Sequence, residues 1–248
     1  MPVLTKTPQT VFDTVFAFPP NKETLGGTAY LILEKASSEE LSKQAAREVD
    51  NRQGANHCAT NHCANILIDC PAFNDANRDF ITQQGGIKTL FITHRGGMAD
   101  VAKFQQAFNA QVLVQEQEAY LLPNLEVETF HRDRQLSHTS RVFWTAGHSP
   151  GSACLYHSQY GGVLFTGRHL LPNKSGDPRP LRRSKTFHWP RQLRNAKTIL
   201  TEFDPKTLSY ICPGASTGFL RGKKTIERAY ERLSTADWEV LSNIEAEL

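Results

Sequence analysis

Short apolar runs alternate with amphipathic segments along the first half of the chain, and this order predicts a sheet covered by helices. The apolar runs predict strands at residues 27–34, 65–70, 88–93 and 111–115, and the amphipathic segments predict helices at residues 74–84 and 98–108. Strands that alternate with helices pair in parallel, because each helical crossover returns the chain to the same end of the sheet.

The second half of the chain follows a different pattern, in which short strands succeed one another through tight turns. Strands are predicted at residues 125–130, 141–145, 153–157, 162–166 and 208–212, and helices at residues 191–203, 223–233 and 238–247. The Gly161-Gly162 pair predicts a hairpin turn. Together the two halves predict an α/β (α+β) protein with two mixed β-sheets flanked by helices.

The same pattern predicts how many domains the chain has and where an insertion lies. No change of composition divides the chain, so we expect a single domain over residues 1–248. Residues 35–64 form a polar stretch between two predicted strands, with a helix predicted at residues 37–52, and are interpreted as an insertion into a strand pair.

Composition and charge place few limits on function. The chain has 248 residues and a net charge of +3, which alone indicates no particular partner. Five cysteines and no signal peptide at residues 1–20 argue against a disulfide framework. No apolar run approaches the roughly 18 residues of a membrane span. We therefore expect a soluble, cytoplasmic protein without a membrane partner.

Four short motifs, in a fixed order within residues 26–221, resemble the metallo-β-lactamase superfamily. They are a strand ending in Thr93-His94, the loop Gly147-His148-Ser149-Pro150-Gly151-Ser152, a strand ending at Gly167, and a strand ending in Cys212-Pro213-Gly214. Members of this superfamily fold as four-layer αββα sandwiches and hold metal ions in loops at one edge of the sheets. The resemblance implies this fold and places the functional cleft at these loops.

Most of the metal ligands that the resemblance implies have no counterpart in this chain. His94 matches the first ligand, and His148 matches the single histidine of the second loop. Gly96 stands where a second histidine is expected, and Asp100 matches the ligand aspartate only if the loop carries two extra residues. Arg168 replaces the aspartate that bridges two metal ions.

The arginine at position 168 argues against a bound metal ion. A guanidinium stays protonated in proteins, and a unit charge about 4 Å from a divalent ion repels it by roughly 8 kcal/mol at an effective dielectric constant near 20. A structural zinc site binds with only ~10–16 kcal/mol. We therefore expect no cofactor and assign no catalytic residue; a residual zinc or iron site would use His94, Asp100 and His148.

The same loops favour the binding of an anion. Gly96-Gly97 is predicted to open a helix whose free N–H groups face the cleft, and Arg168 offers a fork of donors. The histidines add donors that can become charged near neutral pH. The predicted binding residues are His94, Gly96, Gly97, His148, Arg168 and His169. The structural alternative is that Arg168 forms a salt bridge with Asp69 or Asp100.

A basic segment, residues 167–197, carries nine lysines and arginines against one acidic residue, Asp177. Such a segment suits a phosphate-rich small molecule, an acidic protein surface or nucleic acid, or is simply a solvated loop.

Three functions of the protein stay open. They are metal-free binding of an anionic small molecule or acidic protein surface, mononuclear hydrolysis of esters, thioesters or phosphoesters as the resemblance implies, and nucleic-acid binding through residues 167–197.

Other residues with reactive side chains are interpreted as structural. The pairs His57-Cys58 and His62-Cys63 offer ligands for zinc, but adjacent ligands chelate one ion poorly, so we expect a loop without metal. A nucleophilic Cys212 beside His148 is an alternative to the expected buried, inert cysteine. Surface positions are predicted for His131, His138, His157 and His188.

Overall fold

The computed structural model describes residues 7–34, 64–216 and 218–246. The helix predicted at residues 37–52, the two His-Cys pairs and nearly all of the predicted insertion lie outside these residues. The single domain over residues 1–248 therefore stays a prediction. No helix within the described ranges is long and apolar enough to cross a membrane.

Seven strands form the first sheet, in the order in which they occur along the chain. The first four pair antiparallel and the last four pair parallel, so the sheet is mixed. The strands are β1 (Gln9–Phe12), β2 (Val15–Ala17), β3 (Tyr30–Ile32), β4 (Ile66–Ile68), β5 (Thr89–Phe91), β6 (Gln111–Gln115) and β7 (Val127–Phe130).

The second sheet has six strands and is also mixed, because β11 and β14 pair in parallel while the other pairs are antiparallel. Its strands are β8 (Asp133–Gln135), β9 (Ser140–Trp144), β10 (Ala153–His157), β11 (Val163–Gly167), β14 (Tyr210–Pro213) and β15 (Ile226–Glu227). Their order across the sheet is β15-β14-β11-β10-β9-β8. A separate hairpin joins β12 (Leu171–Pro172) and β13 (Pro178–Arg179).

Apolar side chains on both faces of each sheet produce four layers. In β4, Ile66 and Ile68 belong to a cluster shared by the two sheets, whereas Leu67 packs among helical side chains on the outer face. In β11, Phe165 faces the first sheet and Leu164 faces outward. Side chains alternate along a strand, so runs that are apolar at every position are covered on both faces. The predicted αββα sandwich is confirmed.

Five helices in the described ranges cover the outer faces. On the first sheet lie α1 (Asp75–Gln83) and α2 (Val101–Phe108), and on the second lie α3 (Trp189–Glu202), α4 (Ala229–Ser234) and α5 (Trp238–Asn243). The Asn74 side chain caps α1 by accepting a hydrogen bond from the Asn77 backbone N–H at 2.9 Å. His188 caps α3, whose first turn contains Pro190.

Three sequence predictions about elements need correction. Strands β1, β2 and β8 were not predicted. Strands β1 and β8 are short, lie at the edges of the two sheets and carry exposed polar side chains, so their sequences show no clear alternation. Residues 223–228 are not helical: β15 pairs with β14 there, and α4 begins only at Ala229. His157 is fully buried rather than at the surface.

His157 belongs to a buried polar cluster centred on Glu34, where β3 leads into the predicted insertion. The hydroxyls of Ser137, Thr139 and Ser140 donate to the Glu34 carboxylate at 2.8, 2.7 and 2.5 Å, and His157 Nδ1 lies 3.6 Å from it. Burial raises the pKa of Glu34, but these hydrogen bonds outweigh it and lower the pKa to about 2. The cluster keeps a buried carboxylate ionised and satisfied.

Candidate functional site

The loops that follow β5, β9, β11 and β14 meet at one edge of the two sheets. The Ala153 N–H donates to the Thr93 carbonyl at 2.8 Å, which joins the second sheet to the first. The Gly214 N–H donates to the Gly167 carbonyl at 2.7 Å, and the Thr28 N–H donates to the Gly214 carbonyl at 2.7 Å. These bonds bring His94, His148 and Arg168 to the same edge.

His94 is oriented by a hydrogen-bond relay that begins at Asp69. The Thr93 hydroxyl donates to Asp69 Oδ2 at 2.7 Å and lies 2.9 Å from His94 Nδ1. Burial raises the pKa of Asp69 to about 6, against the lowering effect of its hydrogen bonds from Thr93. At neutral pH the ionised Asp69 accepts the hydrogen bond from the Thr93 hydroxyl. The Thr93 oxygen is then left to accept a hydrogen bond from His94 Nδ1–H. The lone pair of His94 is therefore on Nε2.

Gly96 and Gly97 lie against this relay so closely that neither position accepts a side chain. A Cβ on Gly96 would lie 2.8 Å from His94 Nε2, and one on Gly97 would lie 2.2 Å from Asp69 Oδ1. His94 Nε2 is buried without a hydrogen-bond partner in the described part of the chain. His94 lines a small void of about 10 Å³, which has room for one water molecule.

The prediction that Gly96-Gly97 opens a helix is wrong. These glycines end a single 3-10 turn, Arg95–Gly97, and α2 begins only at Val101. The Gly97 N–H donates to the His94 carbonyl at 2.8 Å, so it is not free for a ligand. Asp100 has a left-handed backbone conformation, with φ of 56°, and lies between the 3-10 turn and α2.

The three predicted site histidines lie near one another but are neutral at pH 7. The rings of His94 and His148 pack edge to face with centroids 5.2 Å apart. Burial lowers the pKa of all three, to about 4 for His148 and about 3 for His169; the neighbouring histidines and Arg168 add to the lowering. The expectation that these histidines become charged near neutral pH is therefore wrong. They offer neutral ring nitrogens instead.

His169 is the least accessible of the predicted residues. It is 1% exposed, and both its ring nitrogens are buried without a partner among the described residues. The side-chain amide of Gln192 donates to the His169 carbonyl at 3.0 Å and ties the loop after β11 to α3. His169 is within electrostatic range of His148 but does not line the open cleft.

Arg168 holds a backbone turn rather than a carboxylate. Its Nη2 donates to the carbonyls of Thr24 at 2.9 Å and Leu25 at 3.1 Å, while its buried Nε has no partner in the described ranges. The predicted salt bridge to Asp69 or Asp100 is not formed. Asp100 pairs with Lys103 at 2.6 Å, whereas Asp69 acts on Arg168 only by raising its pKa against the effect of burial.

Arg168 opens onto a cleft of about 450 Å³. Its walls include a second cation, Arg183, which lowers the pKa of Arg168. The described residues that line the cleft include no aspartate or glutamate. The other principal lining side chains are His148, Leu25, Leu171 and Leu181. The result is a positively charged cleft with a partly apolar wall.

The described residues do not fit a catalytic metal ion. They contain no group of three or more histidine, cysteine, aspartate or glutamate side chains that could hold one. Asp100, the residual third ligand, is engaged by Lys103, and the cationic Arg168 lies in the same cleft as His148. Cys212 is fully buried, and burial raises the pKa of its thiol, which does not suit a nucleophile paired with His148.

Much of the positive charge of residues 167–197 is used within the protein. Arg179 donates to the Arg232 carbonyl at 2.7 Å, and Arg182 donates to the Ile244 carbonyl at 2.6 Å. Arg191 stacks over Trp144, and Lys197 lies over Trp238. The segment therefore fastens the C-terminal helices, and only part of its charge faces solvent.

Several site residues were missed by the sequence interpretation. Asp69 was named only as a possible salt-bridge partner of Arg168 and not as the acid that orients His94, and Arg183 was counted only as one charge in a basic segment. The turn at Thr24-Leu25 gave no sequence signal, since it is separated from Arg168 by 144 residues. Only the fold brings these positions together.

Comparison with known proteins identifies the fold. No protein-family model matches the chain, and no curated protein matches it. Solved structures do match. BLEG-1 B3 metallo-β-lactamase aligns with a TM-score of 0.56 and 15% identity, covering 88% of this chain and 95% of that one. TTHA1623 in a di-iron-bound form aligns with a TM-score of 0.55 and 17% identity, covering 84% and 98%.

A β-lactamase domain protein from Burkholderia ambifaria also aligns, with a TM-score of 0.57 and 15% identity over 94% of this chain and 76% of that one. The chain therefore has the metallo-β-lactamase fold. Because the identities are low, the similarity extends to the architecture alone. The chemistry of the cleft has to be argued from its own residues.

Proposed function

We propose that this protein is a metal-free binding protein with the metallo-β-lactamase fold, and that its cleft binds an anionic ligand. The carrying observation is that the guanidinium groups of Arg168 and Arg183 share a cleft whose described lining has no carboxylate. The charge of Arg183 already lowers the pKa of Arg168. An anion beside the Arg168 guanidinium would be attracted by its charge and would accept a charge-assisted hydrogen bond.

The position of Arg168 supports the loss of the metal site. Its Nη2 is fixed by the carbonyls of Thr24 and Leu25, so the guanidinium does not swing freely out of the cleft. Its charge acts on both His94 and His148, lowering the pKa of each. A divalent ion bound to these histidines would experience the same field as a repulsion.

The test is a calorimetric titration with benzoate and with inorganic phosphate in the presence of a chelator. We expect at least one probe to bind, and Arg168→Gln to weaken its affinity about 10- to 100-fold, the range for a lost charge-assisted hydrogen bond. Arg168→Lys keeps the charge and should lose less. Arg194→Gln, which removes an exposed arginine on α3, is the matched control. Equal affinity for the wild type and Arg168→Gln would overturn the proposal.

Two other functions have support from particular contacts. The ring contact of His94 and His148 keeps two nitrogen ligands close, which favours a hydrolase with one metal ion. Analysis of bound metals separates that function from the proposed one. The exposed Lys174, Lys185 and Arg194 favour nucleic-acid binding through residues 167–197. A gel shift with RNA or DNA that weakens as salt rises would support it.

A further inference from the structure

The cleft has an apolar side as well as a charged one. Leu25, Leu171 and Leu181 line it together with the two arginines. Leu25 is 73% exposed, so its side chain is accessible to a ligand in the cleft. The volume of about 450 Å³ suits a small organic molecule rather than a bare inorganic ion.

Leu25 is presented by a turn with a defined backbone. Its φ of 54° is left-handed, a conformation that a leucine rarely adopts. The turn is closed by the Leu25 N–H, which donates to the Lys22 carbonyl at 3.0 Å, and by the Gly26 N–H, which donates to the Asn21 carbonyl at 2.8 Å. Arg168 holds the same turn from within the cleft. One arginine therefore fixes both the charge of the cleft and the position of its apolar rim.

The charged groups suit a carboxylate better than a phosphate. Phosphate sites commonly use several backbone N–H groups at a helix start. Here the Gly97 N–H is already donated to His94, and the residue before α2 is the acidic Asp100. Arg168 has already committed Nη2 to two backbone carbonyls, so its guanidinium has few donors left for a ligand. A carboxylate, with one charge and two oxygens, needs fewer donors than a phosphate, which has three oxygens and a larger charge.

We propose that the ligand is a small amphipathic carboxylate, with its head group between Arg168 and Arg183 and its apolar body against Leu25, Leu171 and Leu181. This inference rests on the proposed function and specifies its ligand. Aryl carboxylates and medium-chain alkyl carboxylates belong to this class. Each buried methylene group is expected to increase affinity about fourfold until the apolar wall is covered.

The experiment is a calorimetric titration of the whole protein with acetate, butanoate, hexanoate and octanoate, and with hexanol and hexyl phosphate. We expect affinity to rise along the carboxylate series and hexanol not to bind. Leu25→Ser should flatten the dependence on chain length, and its exposed position makes unfolding of the variant a minor concern. Val240→Ser, at an exposed valine on α5, is the matched control.

The outcomes separate this inference from the proposed function. If acetate and hexanoate bind equally, the cleft binds anions but the apolar wall takes no part, and the inference is overturned. If hexyl phosphate binds more tightly than hexanoate, the carboxylate head group is wrong. If none of the anions binds, the proposed function itself fails.

Discussion

Arg168 changes what the strand ends of this fold can bind, because it places a permanent cation beside neutral imidazoles. Its guanidinium donates to two backbone carbonyls and lowers the pKa of both His94 and His148. The relay from Asp69 through Thr93 fixes the His94 ring, which lines a small void.

A second buried acid, Glu34, supports a prediction about stability. The pKa of Glu34 is about 2 against an ordinary value of 4.5, so its ionised form stabilises the folded state. This contribution is complete above pH 4.5 and is lost as the pH falls through that range towards 2. We expect the difference in unfolding free energy between the wild type and Glu34→Gln to shrink by about 2 kcal/mol between pH 6 and pH 3.

Urea unfolding monitored by circular dichroism at several pH values measures this difference. Glu126→Gln, at an exposed carboxylate, is the control and should show little dependence on pH. A difference between wild type and Glu34→Gln that stays constant from pH 6 to pH 3 would show that the cluster does not hold Glu34 ionised.

At the scale of elements, the loop between β5 and α2 shows why a histidine cannot simply be introduced at position 96, where the resemblance implies a metal ligand. Gly96 and Gly97 form a 3-10 turn pressed onto His94 and Asp69, with no space for a Cβ at either position. A histidine at position 96 would therefore displace the His94 ring before it could share a metal ion with it. The path of the backbone, and not only the side-chain identity, therefore disfavours a histidine at position 96.

The junction of β3 and β4 supports a prediction about the insertion. These strands are antiparallel neighbours, with Ile32 opposite Ile66. A short linker can therefore join them directly, and a shorter loop costs little closure entropy. We expect replacement of residues 36–63 by a short glycine-serine linker to leave the thermal unfolding midpoint and anion binding nearly unchanged. Loss of cooperative unfolding would instead show that these residues belong to the core.

The sequence predicted the elements well where burial leaves a clear pattern. The runs around β4, β5 and β6 contain consecutive apolar residues because both of their faces are covered, and they were found within a few residues. The edge strands β1 and β8 were missed because their exposed polar side chains resemble loops. Residues 223–228 were assigned to a helix because a two-residue strand, β15, leaves almost no periodic signal.

At the scale of the whole molecule, the sequence predicts the fold more completely than it predicts the chemistry of the site. The order of motifs was sufficient to predict the αββα sandwich, and solved metallo-β-lactamase structures confirm it at 15–17% identity. The site was predictable only in part. His94, His148 and Arg168 were expected together, but the pairing of Arg168 with the Thr24-Leu25 turn depends on contacts between distant segments. The low pKa values of the histidines depend on burial, which the sequence does not reveal.

The most direct test of the account is the metal content of the protein purified without chelators and then equilibrated with zinc, iron or manganese before gel filtration. The account predicts far less than one equivalent of metal per chain, because the repulsion from Arg168 is of the order of the whole binding free energy of a zinc site. Retention of one or two equivalents through gel filtration would contradict it.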